Sequence, residues 1–346
     1  MSYIIKENET WKCLRSETYN YNFNKKTGYF ERYGTSKDDD PQYSFAGPEI
    51  ADIEIVEGKC SGNCPWCYKS NSIDQDINYM TFDVFKEIFH KLPRTLTQIA
   101  FGITDIDANP DFKEIVEYCR NNDYQEIVPN VTINGNNMTS EWYDFLAKNM
   151  GAVSVSHYNN DTCFNAIKEL TDRGMKQVNI HKLLSESTYK SCFDLLKKRK
   201  EDSRLKDMNA IVFLSLKNKG DRNNLKPLTN QEDYNILIMA ALDNNIPTGF
   251  DSCGSKKFEK FLDVHSEYEH FRQYVEPCES SLFSTYINTN GKFYPCSFIE
   301  DEIKWGKGLD VTNCNNFIKD IWNNKKTIEF RKLLLSGCRN CPYFNV

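Results

Sequence analysis

Between residues 51 and 250 short apolar runs alternate with amphipathic stretches, and this alternation limits the folds open to the chain more than any other feature. The runs read as strands at 52–57, 98–102, 127–133, 152–156, 177–182 and 210–216. Helix signals fill the gaps. Thr81 is placed to N-cap a helix, Asp83 suits its first turn, and Met80 can staple onto Phe85. A second helix begins near Asp161, carries Phe164, Ile167 and Leu170, and stops at Gly174. Six such repeats predict parallel strands joined by right-handed crossovers, with ligand sites at the carboxyl ends of the strands.

The first of these ends carries the segment CSGNCPWC, residues 60–67. Three residues separate Cys60 from Cys64 and two separate Cys64 from Cys67. A structural zinc site takes four ligands, usually as two pairs, whereas this loop offers three thiols and no nearby histidine. Thirteen cysteines in a chain without a signal peptide point to metal or cluster binding and away from a disulfide framework. The same absence of a signal peptide, and of any apolar run of membrane-spanning length, reads as a cytoplasmic protein with no membrane partner. With 43 basic and 49 acidic residues the net charge is −6, which argues against a broad electrostatic grip on nucleic acid.

The flanks differ from the middle. In residues 1–50, Tyr19, Tyr21 and Phe23 alternate before Lys25, Lys26, Thr27 and Gly28, which reads as a β-hairpin; Asp38, Asp39 and Asp40 form a solvated loop. This extension does not read as a leader-peptide-binding domain. Lys197, Lys198, Arg199 and Lys200 read as the solvated end of a helix. Beyond residue 250 the alternation fades and cysteines return, with two short strands expected around Asn290 and Gly291. The expected division is therefore an extension (1–50), a barrel (51–250) and a cysteine-bearing module (251–346).

The spacing Cys60, Cys64, Trp66, Cys67, following the first strand of a βα series, resembles the signature of the radical SAM superfamily. That resemblance implies an α/β fold, a partial (β/α)6 TIM-like barrel. It also implies a 4Fe-4S cluster on Cys60, Cys64 and Cys67 whose open iron binds S-adenosyl-L-methionine. One electron from a donor such as flavodoxin or ferredoxin then yields a 5′-deoxyadenosyl radical that abstracts a substrate hydrogen. Further cofactor contacts are carried over position by position. Gly102 and Asp105 stand where the family has a Gly-Gly-Glu-Pro-like segment, and Asp105 is a shorter acid than the family's. Asn134, in Thr132-Ile133-Asn134-Gly135, resembles the turn after the third strand, with an ordinary turn as the alternative. Ser154 and Ser156 resemble the family serine near the methionine or ribose, with plain polar strand positions as the alternative.

Cys278, Gly291, Cys296, Cys338 and Cys341 resemble a Twitch-type module, a shortened relative of the SPASM domain, built from a short hairpin and a helix. The resemblance implies an auxiliary 4Fe-4S cluster on Cys278, Cys296, Cys338 and Cys341; a zinc ion would satisfy the same four thiols. Cys253 is left over. It reads as a hydrogen-atom donor, an alternative ligand or a small buried side chain, while Cys119, Cys163 and Cys192 read as core. The function implied is oxidative modification, dehydrogenation or cross-linking, of a peptide or small metabolite. The alternatives are redox-neutral epimerisation through Cys253, modification of a nucleotide or nucleic acid, and a zinc-stabilised binding protein without activity.

Overall fold

The computed structural model describes residues 2–344. The chain opens with four antiparallel strands in sequential order: β1 (Ile4–Glu7), β2 (Trp11–Arg15), β3 (Asn20–Asn24) and β4 (Phe30–Tyr33). The hairpin read from the alternating aromatics is the β3–β4 pair, turning at Gly28, and two further strands precede it. Leu14, Tyr21 and Phe23 are buried on one face of this sheet. It docks on the amino-terminal end of the main sheet: Lys12 Nζ donates to the Leu96 carbonyl (2.7 Å) and the Tyr21 hydroxyl to that of Thr95 (2.7 Å). Burial lowers the Lys12 ammonium to about 8.

The main sheet begins with β5 (Ile50–Glu54). A small antiparallel pair, β6 (Val56–Gly58) and β7 (Ile77–Tyr79), clamps the two ends of the cysteine loop between them. Then follow α1 (Phe82–Lys91), β8 (Gln98–Gly102), α2 (Phe112–Arg120), β9 (Val128–Ile133), α3 (Ser140–Asn149), β10 (Ala152–Ser156), α4 (Asn160–Asp172), β11 (Val178–Leu184), α5 (Tyr189–Glu201), β12 (Ala210–Ser215), α6 (Gln231–Asp243), β13 (Thr248–Phe250) and α7 (Ser255–Val264). Thr81 caps α1 by accepting from the Val84 amide, as its position predicts. The cap of α4 is Asn159, two residues before Asp161.

After α7 the chain returns through β14 (Ser284–Ile287), β15 (Lys292–Tyr294), β16 (Leu309–Asp310) and α8 (Lys325–Ser336). The sheet runs β13-β12-β11-β10-β9-β8-β5-β14-β15-β16. All pairings from β13 to β14 are parallel, and β15 and β16 are added antiparallel. The six strands read from sequence are thus present in order. The structure adds β13 at one side and, at the other, β14, which pairs with β5 and joins the C-terminal region directly to the barrel.

The strands bury one alternating set of side chains against the helices. Ile53, Ile99, Phe101, Val131, Val153, Val155, Ile180, Ile211 and Phe213 are all buried there, with Phe85, Ile88, Ile115, Leu146 and Ile167 from the helix layer. At about 2 kcal/mol for each such side chain, this outer layer fixes the register. The opposite set, Asp52, Glu54, Gly102, Thr132, Ser156 and His181, lines the concave face.

Candidate active site

The concave face encloses a cavity of about 510 Å³ at the carboxyl ends of the strands. Cys60, Cys64, Cys67 and Trp66 line it together with Gly102, Asn134 and Ser156. All three thiols are free and half-buried. The loop that carries them is held from three sides. Asp105 accepts from the Ser61 amide (2.9 Å) and hydroxyl, and from Asn134 Nδ2 (2.6 Å). Arg222, in the segment after β12, donates to the Asn71 carbonyl (2.6 Å), the Asn63 side chain (2.9 Å) and the Cys64 carbonyl (3.3 Å). Tyr68 lies against Phe298, ring centroids 4.3 Å apart, which ties the loop to the segment following Cys296.

This geometry sorts the residues picked from sequence. Trp66, Gly102, Asn134 and Ser156 face the cavity with the thiols. Asp105 does not line it; its carboxylate is occupied by Ser61 and Asn134, so it stands behind the loop as a brace. Ser154 lies deeper on β10, outside the lining. Sequence reasoning passed over Thr104, whose buried hydroxyl has no hydrogen-bond partner among the described residues and which lines the same cavity. It also passed over Arg222, because nothing in a solvent-like loop sequence marks an arginine that folds back 158 residues.

The charged residues of the cavity are mostly paired with one another. Lys69 Nζ donates to Glu54 (2.9 Å) and to Glu300, and the Tyr286 hydroxyl lies 2.8 Å from an oxygen of each carboxylate. Burial raises Glu54 to about 7, Lys69 opposing it. Glu54, Glu57 and Glu300 are close enough to share a divalent ion, but the Lys69 ammonium already stands among them. Lys217 pairs with Asp251 and lies 4.6 Å from the Phe298 ring centroid. His181 is driven down to about 4 by burial and is neutral at pH 7. Among the thiols, a hydrogen bond donated by Cys64 lowers Cys67 and raises Cys64 itself, whereas burial raises Cys60.

The second cysteine set lies behind Phe298. Cys278 and Cys314 are buried, Cys296 and Cys341 half-buried, and Cys338 exposed. Arg339 fastens the Cys338–Cys341 turn to the Cys278 segment by donating to the carbonyls of Cys278 (3.0 Å) and Pro277 (2.7 Å). Cys338 and Arg339 both adopt left-handed backbone (φ 51° and 61°), a conformation that costs a non-glycine residue about 1–2 kcal/mol and persists where surrounding contacts impose it. Burial pushes Cys296 up to about 12. Cys253 does not line the cavity. It follows β13 in a single helical turn, where the Lys217 ammonium and the thiols of Cys278 and Cys296 are among the charged and titratable groups that act on it.

Comparison with known proteins agrees with both halves of this arrangement. The model of the SPASM family, an iron-sulfur cluster-binding domain, matches residues 278–342. The structure of Streptococcus suis SuiB bound to S-adenosylmethionine superposes with a TM-score of 0.64 at 13% identity, over 83% of this chain and 68% of that one. Native anSMEcpe with bound AdoMet and the Cp18Cys peptide gives 0.61 at 16% identity, over 86% and 87%. Both are radical SAM enzymes. The chain has the radical SAM fold and carries a SPASM domain. No curated sequence matches it.

The two thiol sets are the candidate places for iron-sulfur clusters, and the donors present fit them. Three soft sulfur ligands converge on a cavity from one loop, and among the described residues no fourth cysteine lines it. The Thr104 hydroxyl, two residues beyond Gly102, is a buried polar group beside the cavity with no partner among the described residues. Gly102 leaves that strand end open: a Cβ on it would stand 3.3–3.6 Å from the backbone and side chain of Glu54.

Proposed function

We propose that this protein is a radical SAM enzyme acting on a peptide or small metabolite, with Cys60, Cys64 and Cys67 holding the cluster that binds S-adenosylmethionine and Cys278, Cys296, Cys338 and Cys341 holding an auxiliary one. The observation that carries the reading is the placement of three free thiols on one loop, facing a cavity at the carboxyl end of the first barrel strand. Bound there, the cluster and cofactor supply a one-electron cleavage that generates a hydrogen-abstracting radical. The chain's own residues do the rest. Asp105, Arg222 and Tyr68 hold the loop, Thr104, Asn134 and Ser156 offer polar contacts, and Leu183, Leu214 and Phe298 keep much of the cavity wall apolar.

Oxidative modification is the outcome we favour, because the second cysteine set adjoins the cavity wall: Ser297 and Phe298, directly after Cys296, line it. A cluster there takes an electron from the substrate side of the cavity. The barrel at 51–250 and the cysteine-bearing module at 251–346 are the working division. Reports of bound peptide in the structures of SuiB and anSMEcpe support a peptide substrate.

Anaerobic reconstitution tests the reading. The expected product is a brown protein with about eight irons per chain that releases 5′-deoxyadenosine when reduced with S-adenosylmethionine. A colourless protein that takes up two zinc ions and releases none would overturn it.

A further inference from the structure

Within the cavity one charged side chain is left without a partner. Asp52 lies on β5, two residues before Glu54 and on the same concave face. It lines the cavity, where its side chain is exposed to the lumen, and it makes no hydrogen bond and no ion pair with any described residue. Across the sheet its register partners are Ala100 on β8 and Tyr286 on β14. The titratable groups near it are Glu54 and Tyr286, which belong to the Lys69 network, and Glu279, whose charge repels it. The cations of the cavity are already committed, Lys69 to Glu54 and Glu300 and Lys217 to Asp251, and His181 is neutral.

A carboxylate set deep in a cavity and facing only like charge is harder to ionise than one on the outer surface, even though the lumen leaves its side chain exposed. Burial raises it from 3.8 to about 7. A chain that needed only a filled lumen would place an apolar residue here, as it does at Leu183 and Leu214 on the same wall. The geometry points to Asp52 as the counter-charge for a protonated amine or guanidinium carried by the substrate, seated in the lumen one layer below the cysteine loop. The inference rests on the function proposed above and adds the chemical class of the group recognised. The cofactor's own cationic centre is the competing occupant. Against it, Asp52 lies about 7 Å back along the strand from the end that carries the loop, at 3.3 Å per residue.

The test is a binding comparison that does not depend on turnover. Full-length protein, anaerobically reconstituted and saturated with S-adenosylmethionine, is titrated with n-pentylammonium and with its neutral isostere 1-pentanol. Wild type, Asp52→Asn and Asp52→Glu are compared. Wild type should bind the ammonium tighter than the alcohol. The Asn variant should lose about tenfold or more in ammonium affinity, as expected for a charge-assisted hydrogen bond, with alcohol binding unchanged, and the Glu variant should keep the preference. Equal binding of the two probes to wild type overturns the proposal. So does an Asn variant that holds the ammonium undiminished, or one that loses the cofactor instead. If Asp52→Asn does not fold, the wild-type comparison decides alone. Release of 5′-deoxyadenosine, measured on the same preparation, judges the enzyme reading separately.

Discussion

Gly220 shows how little room the cysteine loop leaves to its neighbours. Its φ is 101°, and a Cβ there would stand 2.1 Å from the Cys67 carbonyl oxygen, so the backbone of the segment after β12 lies directly on the loop. Gly220→Ala is expected to displace that segment, and Arg222 with it. The measurement is iron content after reconstitution, which should fall at the first site, with a lowered melting temperature from the strained backbone, about 1–3 kcal/mol. Cys253 is a second position where a single atom decides. Its residue does not line the cavity, so Cys253→Ala is expected to leave turnover and the deuterium content of product made in deuterated water unchanged. Loss of solvent deuterium in that variant would restore it as a hydrogen donor.

At the scale of elements, the N-terminal sheet does more than cover the barrel end. Arg32 on β4 is buried, lies 3.6 Å above the Phe283 ring, and pairs with Glu49 (2.9 Å), Glu276 (2.9 Å) and Glu279 (3.3 Å). Glu276 and Glu279 flank Cys278, and Arg339 reaches the same segment from the Cys338–Cys341 turn. One guanidinium thus joins the first sheet, the start of β5 and the auxiliary cysteines. Breaking a buried pair on one side costs about 3–5 kcal/mol because the other charge is left behind. Arg32→Met should therefore lower the urea midpoint by that order and loosen iron at the second site. Adding Glu49→Gln, which keeps an acceptor for Tyr19, should restore part of the stability. A double variant no more stable than the single one would show that the pair is not the link. The aromatic alternation of β3 disclosed a hairpin, but not that its second strand carries the arginine that anchors it.

For the whole molecule, two ligand sets on separate loops predict separable loading. Replacing Cys60, Cys64 and Cys67 by Ala should leave about four irons and abolish 5′-deoxyadenosine, with the SPASM domain still coloured. The cavity also imprints a pH dependence on folding. Asp52 binds its proton more tightly in the folded chain (about 7) than in the unfolded one (3.8). Its contribution to stability is therefore full below about pH 4 and is lost as pH rises through 7. Asp52→Asn should flatten the fall of the urea midpoint of the metal-free protein across that range. An unchanged slope would show that the depth of the cavity does not hold the carboxylate's proton as described. The sequence by itself determined the parallel sheet, its six central strands and both cysteine sets, because period-two apolar runs, caps and thiol spacing are local patterns. Tertiary structure alone decided that the polar face of those strands points inward. A strand's alternation says which residues share a face and leaves open which face is covered by helices. Only closure of the sheet brings Asp52 from β5, His181 from β11 and Tyr286 from β14 around one cavity, and only the return of the chain beyond β12 lays Arg222 across the loop at Cys64.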